Sequence, residues 1–291
     1  MHPSLMAAAA LLLAAAAQAA PPAVTVYAAG DIAHCGSAPP RYAGAAQTAT
    51  LIDAALAQDR TAVVLALGDL TYPRGRLAEF TGCYQDTWGR FKARTYPTPG
   101  NHEYATAGAA GYFTYFGAQA GPGHYAFTLG GWRLISLDSN LGAAASASQL
   151  AWLRNELAAN PARCTLAYWH HPMYSSGLKG VDPRMRPAWQ LLMAAGAELV
   201  LTGHDHLYER FAPQDGQGQR DDAGGIRQFV VGTGGAFLTP LLLPLRNSEA
   251  RDSNHLGVLK LVLRADGYDW AFLPVGSDAL FAPDRGSASC H

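Results

Sequence analysis

Five short polar segments constrain the fold of this chain more than any other feature of its sequence. They are spread from position 30 to position 206 and combine Asp, Asn, His and Tyr. In chain order they read Gly30-Asp31, Gly68-Asp69-Leu70-Thr71-Tyr72, Gly100-Asn101-His102-Glu103, His170-His171-Pro172-Met173-Tyr174 and Gly203-His204-Asp205-His206. Together they contain enough ligands for two metal ions, which predicts a hydrolytic metalloenzyme.

Four of the segments follow apolar runs of the kind that form buried strands, at residues 24–29, 62–67, 165–169 and 198–202. The third segment follows the Pro-rich stretch 96–99 instead. A Gly precedes the Asp, Asn or first His at four sites, which predicts a sharp turn and a close approach of the backbone to an ion. The polar groups are therefore expected at the carboxyl edge of a sheet, where open α/β folds place their sites.

The order of the five segments resembles the signature of the metallophosphoesterase (calcineurin-like phosphoesterase) family. The Tyr in Gly-Asp-x-x-Tyr makes the chain more similar to the purple acid phosphatase branch, as a secreted member of bacterial type. The resemblance extends through almost the whole mature chain, and Gly-His-x-His followed by Leu-Tyr-Glu-Arg adds to its specificity. It implies an α/β fold, the four-layer α-β-β-α sandwich of two mixed sheets.

The resemblance also implies a role for each polar side chain. The metal ligands would be Asp31, Tyr72 and His206 for the first ion, Asn101, His170 and His204 for the second, and Asp69 as the bridge. His102 and Asp69 would be catalytic, and His102, Asn101 and His171 would contact the substrate. For His171, a position behind the ligands is an equal alternative.

The sequence departs from the common family pattern at Ala33, where Asp-x-His would require a His. The purple branch uses a tyrosinate in place of that imidazole, so Tyr72 completes the ligand set. His34, one position later, is either a ligand in a shifted loop or an ordinary loop residue.

The charges of the ligands favour iron at the first site. Asp31, Asp69 and a Tyr72 phenolate contribute three negative charges, whereas Asn101 and the histidines contribute none. An Fe(III) ion with Fe(II), Zn or Mn would leave the site about two units positive, which suits a phosphate dianion. A bridging hydroxide would reduce this charge to about one positive unit, and with that hydroxide two divalent ions would leave the site nearly neutral.

The predicted activity is hydrolysis of phosphate monoesters by metal-hydroxide attack, in the manner of an acid phosphatase. His102 would donate a proton to the leaving oxygen or stabilise charge on it. The alternative is a phosphodiesterase or nucleotide hydrolase on the same two metals. A binding or scaffold protein is a third class, but such a protein is expected to have lost ligands, and this sequence retains all seven.

Length and composition agree with one catalytic domain over residues 21–291. The chain has 291 residues, of which 49% are hydrophobic, enough for a sizeable core. Lys and Arg number 21 against 22 Asp and Glu, so no overall field recruits nucleic acid or an anionic membrane. A small phosphorylated substrate is the expected partner, and the sequence does not indicate an oligomeric state.

The amino end, residues 1–20, resembles a secretory signal peptide. An apolar stretch at residues 7–17 leads into Ala17-Gln18-Ala19, an A-x-A cleavage pattern, just before Pro21-Pro22. The segment is too short to span a membrane. Its start lacks the Lys or Arg that signal peptides usually carry. Secretion or a periplasmic location is predicted, and an alanine-rich helix packed on the domain is the alternative.

Four cysteines fit an oxidising compartment and allow three pairings. We favour Cys35 with Cys83, because both closely follow predicted metal segments at the same sheet edge. Cys164 with Cys290 would then tie the tail to the strand that leads into His170. Free buried thiols are the alternative.

The remaining pattern alternates helices and strands. Helices are predicted at residues 47–58, from a capping box at Ser146-Ala147-Ser148-Gln149 to a stop before Pro161, and at 187–195. Strands are predicted at residues 125–129, 132–137, 228–231, 258–263 and 268–272, with surface loops at 215–225 and 241–254. Aromatic residues 111–116 fit an apolar rim or a core patch, and Gly232-Thr233-Gly234-Gly235 fits a phosphate cradle or a plain turn.

Overall fold

A computed structural model describes residues 21–36, 43–276 and 283–291. The predicted signal peptide, residues 1–20, lies outside this described part. Within the described part, no helix combines the length and the apolar character that crossing a bilayer requires.

The described residues form fifteen strands and six α-helices, joined in places by short 3-10 and π segments. The strands are β1 (Val24–Ala29), β2 (Ala33–His34), β3 (Val63–Leu67), β4 (Thr71–Tyr72), β5 (Thr95–Thr98), β6 (Tyr125–Leu129), β7 (Trp132–Ser136), β8 (Thr165–Tyr168), β9 (Leu199–Thr202), β10 (Tyr208–Phe211), β11 (Arg227–Val231), β12 (Ser248–Asp252), β13 (Gly257–Arg264), β14 (Gly267–Pro274) and β15 (Arg285–Ser289). The helices are α1 (Gly44–Gln58), α2 (Leu77–Glu79), α3 (Asn101–Tyr104), α4 (Ala110–Phe116), α5 (Ala143–Ala159) and α6 (Arg186–Ala194).

The strands build two mixed sheets and a short ribbon. The first sheet has the order β15-β14-β13-β1-β3-β5, in which β1, β3 and β5 run parallel. The second has the order β12-β10-β11-β9-β8-β7-β6, with a parallel centre from β7 to β11 and antiparallel strands at both edges. Strands β2 and β4 pair on their own.

Alternation of side chains along the second sheet creates its two buried faces. Leu134, Leu166 and Phe229 belong to one core cluster with Val26 and Leu259 of the first sheet, so the two sheets face each other. Their chain neighbours Ile135, Ala167 and Val230 belong to a second cluster with buried residues of α5 and α6. Helix α1 buries its apolar face in the first cluster. This architecture confirms the predicted four-layer α-β-β-α sandwich.

The helix predicted from Ser146 begins three residues earlier, at Ala143, and no side chain caps it. The amide of Ser146 instead donates to the carbonyl of Gly142 inside the first turn. The capping-box prediction is therefore wrong, because a run of alanines with high helix propensity extends the helix towards Gly142. The helices predicted at 47–58 and 187–195 are confirmed within three residues.

Three edge strands, β5, β12 and β15, were not expected from the sequence. The Pro-rich stretch before the third polar segment forms β5, which pairs in parallel with β3 and tolerates Pro97 because it lies at a sheet edge. The loop predicted at 241–254 is wrong for Ser248–Asp252, which form the edge strand β12. Its polar side chains reflect an exposed edge, whereas residues 215–225 form a loop as predicted.

Both favoured disulfides are present. Cys35 is bonded to Cys83 with a Cα–Cα distance of 5.6 Å, and Cys164 is bonded to Cys290 with a Cα–Cα distance of 5.7 Å. The first bond fixes the loop after β2, and the second joins the residue before β8 to the residue after β15.

Candidate metal centre

The five polar segments meet at one place in the fold. Asp31, Asp69 and Asn101 follow β1, β3 and β5 of the first sheet, and His170 and His204 follow β8 and β9 of the second. The prediction of a single sheet edge is thus incomplete, because the carboxyl edges of two facing sheets contribute. The structure brings all seven predicted ligands together.

One group of donors surrounds the Tyr72 hydroxyl. This oxygen lies 2.8 Å from Asp31 Oδ1, 3.1 Å from His206 Nε2 and 3.2 Å from Asp69 Oδ2. His206 Nε2 is also 3.2 Å from Asp31 Oδ1. Ligands about 2.1 Å from an octahedral ion lie about 3.0 Å from one another, so these spacings suit a shared cation.

A second group of donors surrounds His170 Nε2. This nitrogen lies 3.2 Å from Asp69 Oδ2, 3.2 Å from Asn101 Oδ1 and 3.1 Å from His204 Nδ1. Donor atoms of Asp69, His170 and His204 all lie within 4.8 Å of one another. Asp69 Oδ2 therefore faces both groups, which is the position that a bridging carboxylate requires.

Backbone carbonyls orient two of the imidazoles. His170 Nδ1 donates to the carbonyl of Leu67 at 2.9 Å, and His206 Nδ1 donates to the carbonyl of Phe237 at 2.8 Å. Each ring thereby directs its Nε2 at the donor group and leaves that nitrogen as the atom that would bind a metal.

The backbone at the site adopts unusual conformations. Asp31, Asp69 and His204 have positive φ angles of 59°, 50° and 72°. Gly100, just before Asn101, and Gly203, just before His204, allow close packing and do not have a positive φ. A Cβ would lie 2.2 Å from Asp69 Oδ1 at position 100 and 2.6 Å from Asp31 Oδ2 at position 203. Our expectation that these glycines allow a sharp turn is therefore only partly right.

The electrostatics of the donors favour a bound cation. Asp31 and Asp69 are buried, and within the described residues their ion pairs are with histidines alone. Burial lowers the pKa of His170, but the Asp69 carboxylate, together with Asp31 and the Leu67 carbonyl, more than offsets this effect and raises the pKa to about 9. Burial and the carboxylates of Asp31 and Asp69 raise the pKa of Tyr72 well above its ordinary value. Cations among these oxygens would offset the carboxylate charge and release the phenolic proton, so the donor set fits two metal ions.

His102 lies at the opening of the site, with a third of its side chain exposed. Its Nδ1 donates to the carbonyl of Pro73 at 2.7 Å, and its Nε2 lies 3.9 Å from Asp69 Oδ2. The ring packs on Tyr72 with centroids 4.2 Å apart. This position gives Nε2 access to a substrate bound over the metal ligands.

His171 and His34 differ from the ligands in position. His171 is buried behind His204, with ring centroids 4.4 Å apart, and its Nδ1 lies 2.8 Å from Ser139 Oγ. This placement favours a position behind the metal ligands over the predicted contact with the substrate. His34 is exposed on strand β2 and stands outside both donor groups, so it is neither a ligand in a shifted loop nor an ordinary loop residue; it lines the cleft.

Glu103 is a site residue to which the sequence analysis gave no role. Its buried carboxylate accepts hydrogen bonds from the amides of Asp69 at 2.8 Å, Leu70 at 2.9 Å, Thr71 at 3.3 Å and Gly100 at 2.7 Å. Burial and the Asp69 charge raise the pKa of Glu103 to about 8, an effect that these amide donors oppose. The carboxylate joins the second and third polar segments. The position of Glu103 within the third polar segment was the one feature of the sequence that could have indicated this role.

Packing decides the roles of residues 111–116 and 232–235. Tyr112, Tyr115 and Phe116 are buried in the main core cluster, so residues 111–116 form a core patch. The amides of Gly232 and Gly234 donate to the carbonyls of Leu207 and Gly30, which leaves neither available as a phosphate cradle.

The donor groups open into a cleft of about 470 Å³. The lining of this cleft includes Tyr72, Asn101, His102 and His204 together with the apolar Leu178 and Phe237. A family model described as calcineurin-like phosphoesterase matches residues 17–208, which include every segment of this site. The chain belongs to the calcineurin-like phosphoesterase family. The family is described as phosphoesterases, and membership implies a dimetal cofactor.

Purple acid phosphatases are among the relatives of this calcineurin-like phosphoesterase. Purple acid phosphatase 15 of Arabidopsis thaliana is 27% identical over 188 residues, which are 51% of this chain and 35% of that protein. The chain thus spans about a third of the curated relative that it matches.

Solved structures show the same fold at low sequence identity. Purple acid phosphatase PPD1 from yellow lupin (Lupinus luteus) seeds has a TM-score of 0.72 and 17% identity, covering 92% of this chain and 54% of that one. GAP50, described as the anchor in the inner membrane complex of Plasmodium, has a TM-score of 0.70 and 14% identity, covering 92% and 89%.

Proposed function

We propose that this calcineurin-like phosphoesterase hydrolyses phosphate monoesters at a dimetal centre formed by the seven converging side chains. The observation that carries the proposal is the position of Asp69 Oδ2, within 3.2 Å of both Tyr72 Oη and His170 Nε2. Asp31, Tyr72 and His206 would hold one ion, Asn101, His170 and His204 the other, and Asp69 both. The similarity to purple acid phosphatases supports a monoester substrate.

When bound, the two ions supply charge stabilisation for the phosphoryl group and a nucleophile at neutral pH. The chain itself orients the leaving group. Because His102 Nδ1 donates to the Pro73 carbonyl, its Nε2 is directed at the cleft, from which it would donate a proton to the leaving oxygen. Asn101 Oδ1 contacts His170 Nε2 inside the cleft, and the bond from the Gly100 amide to Glu103 holds the backbone next to Asn101.

One assay distinguishes the proposed activity from its rivals. Purified enzyme is tested against a monoester and a diester of the same chromophore, and the metal content of the same sample is measured. Faster cleavage of the monoester by a sample holding two metals is expected. Preference for the diester would indicate a phosphodiesterase, and a metal-loaded protein that cleaves neither ester would indicate a binding role, such as the name of GAP50 describes.

We further propose Fe(III) at the Tyr72 site, with Fe(II), Zn or Mn as the second ion. The support is chemical: Tyr72 Oη lies 2.8 Å from Asp31 Oδ1 and 3.2 Å from Asp69 Oδ2, so a phenolate there would add a third anionic oxygen to two carboxylates. A visible charge-transfer band from tyrosinate to ferric iron is expected, and it disappears in Tyr72→Phe. A colourless, active wild-type enzyme containing two divalent ions would refute the iron assignment.

We propose that the protein is exported and that residues 21–291 form one catalytic domain. Both disulfides support an oxidising compartment. Strand β13, which lies beyond the family match, pairs with β1 and joins β14 and β15 to the first sheet, and this pairing supports a single domain. Amino-terminal sequencing of secreted protein is expected to begin near Ala20 or Pro21.

A further inference from the structure

Exposed apolar side chains are concentrated beside the metal centre. Among the described residues, six large apolar side chains are exposed, and five of these lie in two loops: Leu178, Val181, Phe237, Leu242 and Leu243. Phe237 is 50% exposed, Leu178 is 54% exposed and Leu243 is 88% exposed. Apolar groups left in water at the opening of a cavity are typical of a ligand-binding surface.

Hydrogen bonds hold the two loops side by side. The amide of Leu242 donates to the carbonyl of Ser176 at 2.9 Å, and the amide of Leu245 donates to Ser176 Oγ at 2.8 Å. The amide of Thr239 donates to the carbonyl of His206 at 3.0 Å. The two apolar loops therefore form one surface that is anchored to the metal segment.

This surface continues into the catalytic cleft. Phe237 and Leu178 line the same cavity as Asn101 and His102. The Phe237 ring lies 4.2 Å from the His206 ring and 6.2 Å from the Tyr72 ring, measured between centroids. A phosphate held over the metal ligands would thus place the alcohol part of its ester against Phe237 and Leu178.

We propose that Phe237 and Leu178 form a subsite for an apolar alcohol group, so that the enzyme prefers phosphate esters of alkyl or aryl alcohols over esters of sugars. The proposal rests on the proposed phosphomonoesterase function. The occupant is the leaving group of the substrate itself, because the apolar surface shares its cavity with the metal ligands. Lys179, which also lines the cleft, complements the charge of the phosphate.

Alkyl monophosphates from ethyl to hexyl test this subsite, because their alcohols differ little in acidity and the chemical step is nearly constant. A partly buried methylene is expected to raise kcat/KM about twofold, so hexyl phosphate should exceed ethyl phosphate about 16-fold. The same order is expected for the Kd of alkylphosphonates, which are not hydrolysed. In F237A and in L178A the hexyl-to-ethyl ratio should fall to about two.

Leu77→Ala is the matched control, because Leu77 is also an exposed leucine but does not line the cleft. This variant should keep the wild-type ratio. A wild-type ratio near one for both kcat/KM and Kd, or an unchanged ratio in F237A, would overturn the subsite while leaving the phosphatase activity intact. A metal-loaded wild-type enzyme that hydrolyses none of the esters would instead refute the proposed function.

Discussion

At the scale of single residues, Asp31, Asp69 and His204 hold their side chains in place from left-handed backbone conformations. Such conformations cost about 1–3 kcal/mol each and persist where the surrounding structure enforces them. Here the enforcement comes from amide hydrogen bonds, such as that from His204 to Asp31 Oδ2 at 2.8 Å. The strain is located at the residues that would bind the metals.

The variants Asp69→Ala and His102→Ala are expected to lose activity for different reasons. Asp69→Ala should lose metal and activity together, because one oxygen serves both donor groups. His102→Ala should keep its metal but lose about 10²- to 10⁴-fold in kcat, the usual contribution of a general acid. Metal analysis and steady-state kinetics on the same samples check both outcomes. Full turnover by a metal-loaded His102→Ala enzyme would reject the role of His102.

Glu103→Gln should weaken metal binding, although the Glu103 side chain is not itself a predicted metal ligand. The glutamine amide group would face backbone N–H groups that now donate to a carboxylate oxygen, so the Asp69 loop would lose its anchor. We expect metal affinity to fall about 10- to 100-fold in a competition titration.

Glu79→Gln provides the control, because Glu79 also accepts from two backbone amides but lies outside the metal segments. Equal metal affinity in Glu103→Gln and in the wild type would show that Glu103 has no positioning role.

At the scale of elements, Asp284 joins the two sheets. Its carboxylate accepts from Arg210 Nε at 2.8 Å and Tyr208 Oη at 2.7 Å on β10, and from Trp270 Nε1 at 3.1 Å on β14. Although burial raises the pKa of Asp284, the donors from Arg210 and Tyr208 dominate and lower it. Because the folded-state pKa is lowered, the carboxylate stabilises the fold above about pH 4, and this contribution is lost at lower pH.

Asp284→Asn should therefore reduce the free energy of unfolding by about 2 kcal/mol at pH 7, and by less at pH 3. Urea unfolding at the two pH values measures both differences. Asp222→Asn, which removes the exposed partner of Arg220, should change stability little at either pH. An equal loss at pH 7 and pH 3 in Asp284→Asn would contradict the lowered pKa.

Most elements could be predicted from apolar periodicity, because β1, β3, β8 and β9 are continuous buried runs. Strand β12 could not, since an exposed edge strand carries no apolar pattern and is defined only by its pairing with β10. The seven donors were predicted because the polar segments carry them in a fixed order. The roles of Glu103 and Phe237 depend on contacts between distant segments, which no local pattern encodes.

At the scale of the whole molecule, the bond between Cys164 and Cys290 closes most of the second half of the chain. Its ends are 126 residues apart, against 48 for Cys35 and Cys83. Removal through C164A/C290A should lower the free energy of unfolding by about 2–5 kcal/mol, because the unfolded chain gains freedom. Guanidinium unfolding under non-reducing conditions measures this loss, with C35A/C83A as the comparison. A larger loss in C35A/C83A would contradict the entropic explanation.

Residues 234–239 follow β11 and are attached by their backbone to the first and fifth polar segments. The amides of Gly234, Ala236 and Thr239 donate to the carbonyls of Gly30, Asp31 and His206, and the carbonyl of Phe237 receives His206 Nδ1. None of these bonds involves the ring at position 237. Under the proposed subsite, point substitutions at position 237 would therefore change the alcohol preference without disturbing the backbone bonds that hold the metal segments.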